Sequence, residues 1–410
     1  MSDSSFAMLA NLLQASHLAT LEQVPVLVEK HAVGLSNFDF LLADLREEWL
    51  VALRDGQAVS VERSLAGRSF RDVALIETAH EDGHHFWIPL LDGTERIGVL
   101  GVVAADDSAE TLDRLQALAS LVALMLVSKR PHSDTYARLV RTQPMTVASE
   151  VVWPLMPPLT FATDNLVVSA VLEPAYEIGG DAVDYAVEGE VVRLSIFDAM
   201  GHDQSAGLTV ALATGTCRNH RRRGAGLVDT SNAVDEVIGA QFGGRRFATG
   251  VLAELDFHTG RLSWVNRGHP APLLIRQGRW LRELRCRVAP PMGFQLPSAP
   301  QLCHQHLEPG DRLLFYTDGI VEARDGHGKQ FGLRRFVDFV VRREADGSTA
   351  PETLRRLMRT VLAHQHGRLQ DDASVLLVEW QQHRERSLLV HAPRRQSIGG
   401  IGGAARYDSV

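Results

Sequence analysis

The chain of 410 residues carries 42 Lys and Arg against 50 Asp and Glu, a formal net charge of −8, with 45% apolar and 22% charged residues. This is globular composition with length for two to three domains, and it excludes collagen-like, coiled-coil-only and wholly disordered chains. A mildly acidic chain is not built around a general phosphate-backbone footprint, so nucleic acid is not an expected partner.

No uninterrupted apolar run approaches the roughly 18 residues that span a bilayer, so no membrane segment is expected. Met1 to Ser5 lacks a basic stretch followed by an apolar one, and no signal peptide is expected. Three cysteines, Cys217, Cys286 and Cys303, form no CxxC and read as the reduced thiols of a cytoplasmic protein.

Between residues 6 and 33, Phe6, Leu9, Leu12, Leu13, Leu18, Leu21, Val24 and Val28 recur at helical spacing and predict two short helices, with Pro25 starting or kinking the second. Short strands are predicted over 38–45, 49–53 and 59–61, with Asp55-Gly56 as a hairpin signal between the last two. A second strand pair covers 86–91 and 97–104, joined around Asp92-Gly93. A long helix spans 108–129, where Leu112, Leu115, Leu118, Ala119, Val122, Met125 and Leu126 define one face; Pro131 ends it.

Short helices, a strand meander, a hairpin and a closing helix predict a small α+β domain over 1–130. The stretch Phe86-Trp87-Ile88-Pro89-Leu90-Leu91, then Ile97-Gly98-Val99-Leu100-Gly101-Val102-Val103 and the terminal helix, resembles a GAF domain, with Gly67-Arg68-Ser69-Phe70 placed as its Gly-Arg turn. The resemblance implies a sensor that takes a small ligand or a protein. His84 and His85 read as an exposed turn and a packed histidine.

Residues 131–160 read as a linker helix broken by prolines. Passive spacer and signalling helix paired across a dimer both fit it. Strands are predicted over 166–172, 191–198, 249–256, 262–267, 273–276, 312–317 and 373–380, rich in Val, Leu and Ile. Helices are predicted over 205–220, 228–241, 333–343 and 351–364. Long strands with grouped helices fit a layered sandwich over 161–382. Residues 383–410, with Gly399-Gly400 and Gly402-Gly403, read as a disordered tail.

The chemistry is carried by aspartates at strand ends. Gly179-Gly180-Asp181 with Asp184, Asp198-Ala199-Met200-Gly201-His202, Thr317-Asp318-Gly319 and Asp371-Asp372-Ala373-Ser374 share one grammar, carboxylate beside a tight turn or strand end. Carboxylates are costly to bury unpaired, so such clusters want cations. Oxygen donors without Cys or His ligand spacing select Mg²⁺ or Mn²⁺ over Zn²⁺.

Together with Asn266-Arg267-Gly268-His269-Pro270-Ala271-Pro272 and Tyr316 to Ala323, these motifs resemble the SpoIIE-like branch of the PPM (protein phosphatase 2C-like) metal-dependent serine/threonine phosphatases, over about 165–380. The resemblance implies a β-sandwich flanked by α-helices and two ions at one end of it. Asp198 and Asp181 are then the catalytic carboxylates. The ligands are Asp181, Asp198, the Ala199 carbonyl, Asp318 and Asp371, supported by Gly180, Asp184, Gly201 and Asp372. The implied substrate is a phosphorylated anti-sigma-factor antagonist or a related partner-switch protein, and the implied assembly is a cytoplasmic homodimer. A pseudophosphatase that only binds a phosphoprotein is the alternative.

Asp203 stands where the family has glycine and is expected to face solvent. No position matches a phosphate-binding arginine. His269 is expected to be structural, and Arg218, Arg221, Arg222 and Arg223 to form a solvated helix end.

Overall fold

The computed structural model describes residues 3–297, 299–381 and 385–390. The N-terminal part is one antiparallel six-stranded sheet, in the order Ala58–Ser60, Trp49–Ala52, Leu35–Ala43, Glu95–Ala104, Gly83–Asp92, Ile76–His80. Its central strands are apolar without alternation because both faces are covered. Phe40, Leu42, Leu100 and Val102 pack under the helices Asp3–Ser16, Val24–His31 and Ala109–Lys129. Leu41, Leu50 and Val99 pack on the other face against Phe70 of helix Leu65–Asp72. This arrangement is consistent with a GAF-like domain. Gly67-Arg68-Ser69-Phe70, expected in a turn, lies within that helix, since Ser64 caps it by accepting from the Gly67 amide.

The long helix bears on the expectation of no membrane segment. Ala109–His132 is long and apolar enough to cross a membrane by length and composition, although charged residues interrupt it. Here Leu115, Leu118, Val122 and Leu126 are buried against the sheet.

The C-terminal part is a sandwich of two antiparallel sheets. One orders Cys303–His306, Arg261–Arg267, Ala248–Asp256, Val191–Ala199, Asp181–Glu188. The other orders Arg279–Glu283, Leu273–Arg276, Arg312–Tyr316, Ala373–Trp380, Leu166–Glu173, Thr160–Thr163. Leu166, Val168 and Leu172 of one sheet meet Val183, Leu194 and Ile196 of the other in the shared core. Helices Gln204–Arg222 and Leu227–Phe242 cover the five-stranded sheet, and Leu333–Ala345 and Ala350–His364 cover the six-stranded one. The expected helix-flanked β-sandwich is therefore what the chain forms.

The connector is not one helix. Asp134–Val140 and Val147–Val152 are separate, followed by a 3-10 turn at Trp153–Leu155. It is packed: the Ser149 hydroxyl donates to the Ile178 carbonyl across 2.8 Å, and the Trp153 indole donates to the Ala175 carbonyl across 2.5 Å. The two sheet units also touch directly. Arg355 donates to Glu352 at 2.8 Å and to Glu62 of the N-terminal unit at 2.5 Å, and Arg96 pairs with Glu47 at 2.6 Å and with Glu352 at 3.5 Å.

Two further differences follow from tertiary pairing. Cys286 and Cys303, expected as thiols, form a disulfide with Cα atoms 5.9 Å apart, and only Cys217 is a free, buried thiol. Their separation of 17 residues carries no sequence signal; pairing of the edge strand Cys303–His306 with Arg261–Arg267 fixes where Cys303 stands. Of the expected tail, Glu385–Leu388 forms a 3-10 turn and Leu388 is buried in the core under the six-stranded sheet. Residues 383–384 and 391–410 lie outside the described residues.

Candidate metal centre

Asp181 opens the strand Asp181–Glu188 and Asp198 closes Val191–Ala199, and the antiparallel register sets the two directly opposite each other. Asp318 starts the short helix Asp318–Glu322 right after the strand Arg312–Tyr316. Asp371 and Asp372 precede Ala373–Trp380, the neighbour of that strand. Four chain segments from two sheets thus bring their carboxylates to one end of the sandwich.

The cluster is graded in depth. Asp181 and Asp372 are buried, Asp198 is half-buried, and Asp318 and Asp371 are exposed at the rim. Burial, then the charges of Asp198 and Asp372, holds the Asp181 carboxyl well above the usual range. Burial, then Asp318, Asp371 and Asp372, pushes Asp198 up to about 8. Asp318 and Asp372 are raised as well, burial being the main cause for each. Carboxylates that repel one another and take no basic partner fit oxygen-liking divalent cations. Among the described residues, the group whose ligand atoms all lie within 4.8 Å of one another is a different one, Glu77 and His84 of the N-terminal sheet with Asp107 of the loop after it.

The base of the site is rigid. Asp372 Oδ2 accepts the backbone N–H groups of Gly179 at 3.0 Å, Gly180 at 2.6 Å and Asp181 at 3.3 Å. The Ala199 amide donates to the Gly180 carbonyl across 2.8 Å. Gly180 has no room for a side chain: a Cβ there would stand 2.6 Å from the Gly201 carbonyl oxygen and 2.9 Å from that of Ala199. Gly201 has φ +83°, the left-handed region that suits glycine.

Two expectations are corrected. Asp184 lies apart from the cluster. Three residues from Asp181 on one strand, it points to the opposite face, where Arg218 at 2.7 Å and Arg221 at 2.7 Å hold its buried carboxylate. Arg218 and Arg221 are accordingly not a solvated helix end; they neutralise Asp184, and Arg218 also donates to the Leu155 carbonyl.

Asp203 is exposed as expected but is engaged. It caps helix Gln204–Arg222 by accepting from Ala206 and pairs with Arg246 at 2.6 Å. Arg246, which sequence reasoning missed, also donates to the Met200 carbonyl across 3.0 Å, beside the Ala199 loop. His269 is buried, its Nδ1 sits 2.8 Å from the Thr249 hydroxyl, and burial lowers its pKa to about 3. Thr249 stands opposite Asp198 in the neighbouring strand, so the imidazole is tied to the strand beside the cluster.

The C-terminal part of the chain is similar to known proteins. The family model described as Stage II sporulation protein E (SpoIIE) matches residues 188–381. The chain is 26% identical over 165 residues to the phosphoserine phosphatase RsbP of Bacillus subtilis (strain 168), 39% of this chain and 40% of that protein. It is 20% identical over 218 residues to the phosphoserine phosphatase RsbU of the same organism, 52% of this chain and 63% of that one. It therefore spans less than two thirds of the length of these relatives. A structure of the RsbU and RsbW domains of Rv1364c from Mycobacterium tuberculosis is similar at TM-score 0.47 and 22% identity, over 55% of this chain and 62% of that chain. Residues 188–381, most of the C-terminal sandwich, are thus similar to SpoIIE.

Proposed function

We propose that the chain is a metal-dependent protein serine/threonine phosphatase of bacterial signalling, using Mn²⁺ or Mg²⁺. The observation that carries this reading is the convergence of Asp181, Asp198, Asp318, Asp371 and Asp372 at an open sandwich end, where burial and neighbouring carboxylates raise the carboxyls of Asp181, Asp198, Asp318 and Asp372.

Asp181, Asp198, Asp318, Asp371 and the Ala199 carbonyl would hold the ions. When bound, two divalent ions activate water near neutral pH and offset phosphoryl charge during in-line displacement. The chain's own contribution is positional. Thr317 fixes Asp181, Asp372 fixes the Gly179-Gly180 turn, and the exposed rim at Asp318 and Asp371 admits a macromolecular phosphoester.

The substrate we propose is a phosphoserine or phosphothreonine on a partner-switch protein of the anti-sigma-factor antagonist kind, a reading supported by the named phosphoserine phosphatases RsbP and RsbU. Residues 1–130 act as a GAF-like sensor of a small ligand or protein, 131–160 as linker, and 161–382 as the phosphatase, in a cytoplasmic homodimer.

The test is phosphate release from a phosphoserine protein with Mn²⁺, Mg²⁺ or EDTA, for wild type and Asp198→Asn together. Metal-dependent release that Asp198→Asn abolishes supports the proposal. Metal binding by calorimetry without release, from the full chain and from 161–382, moves the assignment to a phosphoprotein-binding module.

A further inference from the structure

A cavity of about 640 Å³ lies where the N-terminal unit, the connector and the six-stranded sheet meet. It stands outside the N-terminal sheet's own core and away from the aspartate cluster. Its walls come from the loop Asp44–Glu48, from Tyr136 to Arg141, from Trp153 to Leu159, from Glu173 and from helix Ala350–His364. Its volume is in the range of small-molecule sites, which pair apolar walls with a few placed polar groups.

Several polar atoms on its wall stand beside an opposite charge yet make no hydrogen bond. Glu173 is buried, its side chain only 5% exposed, and among the described residues its hydrogen bond is the one Oε2 accepts from the Ala175 amide at 2.8 Å. Its charge partner is Arg46, whose Nε stands 3.4 Å from that oxygen and makes no hydrogen bond. Two more buried atoms on the cavity wall, Glu95 Oε2 and Arg96 Nη1, also make no hydrogen bond. Buried polar atoms left in this state cost stability. An ammonium for Glu173 and a carboxylate for Arg46, side by side, are the two charges an α-amino acid presents. Beside further charged side chains such as Arg130, Arg141 and Arg355, the lining includes Met145, Trp153, Met156, Leu354 and Met358, which suit an apolar body.

We propose that this junction cavity binds an amphipathic zwitterion of the amino-acid type, with its carboxylate on Arg46, its ammonium on Glu173 and its apolar side chain against Trp153 and Met358. Arg46 belongs to the N-terminal unit and Glu173 to the sandwich, so the ligand bonds both. Glu173 ends the strand whose following segment delivers Gly179, Gly180 and Asp181 to Asp372. By linkage, occupancy of the cavity and the arrangement of the two units bias each other. The proposal stands independently of the phosphatase assignment.

The probe is L-tryptophan, titrated into the full chain by calorimetry beside tryptamine, which lacks the carboxylate, and indole-3-propionate, which lacks the ammonium. Saturable binding of tryptophan is expected, about tenfold or more tighter than either comparator. Glu173→Gln is expected to weaken it about tenfold, and Met358→Trp, which fills the cavity, to abolish it. Equal binding of all three compounds, no saturable binding of tryptophan at millimolar concentration, or binding indifferent to Glu173→Gln overturns the proposal. If Glu173→Gln does not fold, Arg46→Gln tests the same contact from the other unit: weakened binding supports the proposal and unchanged binding overturns it.

Discussion

Thr317 Oγ1 donates to Asp181 Oδ2 across 2.7 Å, a bond that joins the two sheets of the sandwich at the floor of the aspartate cluster. The same hydroxyl accepts from the Ser374 amide at 2.9 Å, so one buried side chain orients one carboxylate and ties down the strand that follows Asp371-Asp372. Thr317→Val keeps the shape and removes both bonds. It is expected to cost about 1–3 kcal/mol in thermal or urea unfolding, because a buried acceptor and a buried amide lose their partner. Thr317→Ser, which keeps the hydroxyl, is expected to retain most of the stability and the Mn²⁺ affinity that Thr317→Val loses in calorimetric titration.

Asp198 and Asp184 sit on neighbouring strands yet should respond oppositely to the same change. Asp198→Asn removes a carboxylate that repels its neighbours, so melting in EDTA is expected to rise while Mn²⁺ binding is lost. Asp184→Asn takes the counter-charge from Arg218 and Arg221, so melting is expected to fall, with Mn²⁺ affinity close to wild type. A Mn²⁺ titration in which Asp184→Asn fails like Asp198→Asn counts against this division of faces.

Glu173 gives the junction a pH dependence. Burial raises its carboxyl from the ordinary 4.5 to about 7. Its contribution is fully present below about pH 4.5 and is lost as pH rises through 7, because the folded state then holds a charge the unfolded chain carries freely. The loss is on the order of 3 kcal/mol at about 1.36 kcal/mol per pKa unit. Melting curves at pH 5 and pH 8 are expected to differ more for wild type than for Glu173→Gln.

The Arg–Glu network between the units predicts an asymmetry. Burial opposes it, yet hydrogen bonds from Arg355 hold the Glu352 carboxyl down to about 2. Arg355→Ala strands that charge in the interface and is expected to cost about 3–5 kcal/mol and to expose the connector to limited proteolysis. Glu62→Gln, at a partly exposed partner that Arg359 and Arg71 also contact, is expected to cost less than about 1 kcal/mol. Acidification should weaken the network as pH falls from about 4.5 toward 2, the window between the ordinary and the folded value for Glu352.

The sequence by itself determined the local content. Apolar runs such as Val191 to Phe197 predict buried strands, helical periodicity places 108–129 and 351–364, and the aspartate turns mark the ends at which charge collects. Those signals are local, because strand alternation, helical spacing and turn chemistry are read within a few residues. Fold class was therefore legible, as was the strand-end position of Asp181 and Asp198.

Only the tertiary structure decided which neighbours each charge has. Asp184 reads in sequence as a partner of Asp181, and the two-residue pleat sends it to the arginines of a helix instead. The Cys286–Cys303 bond, the fork of Arg246 on Met200 and Asp203, and the Arg46–Glu173 pair join segments 17, 43 to 46 and 127 residues apart. No pattern along the chain encodes such pairs. Whether a carboxylate meets an arginine, a cation or another carboxylate is set by packing around it, and that is where the function of this chain resides.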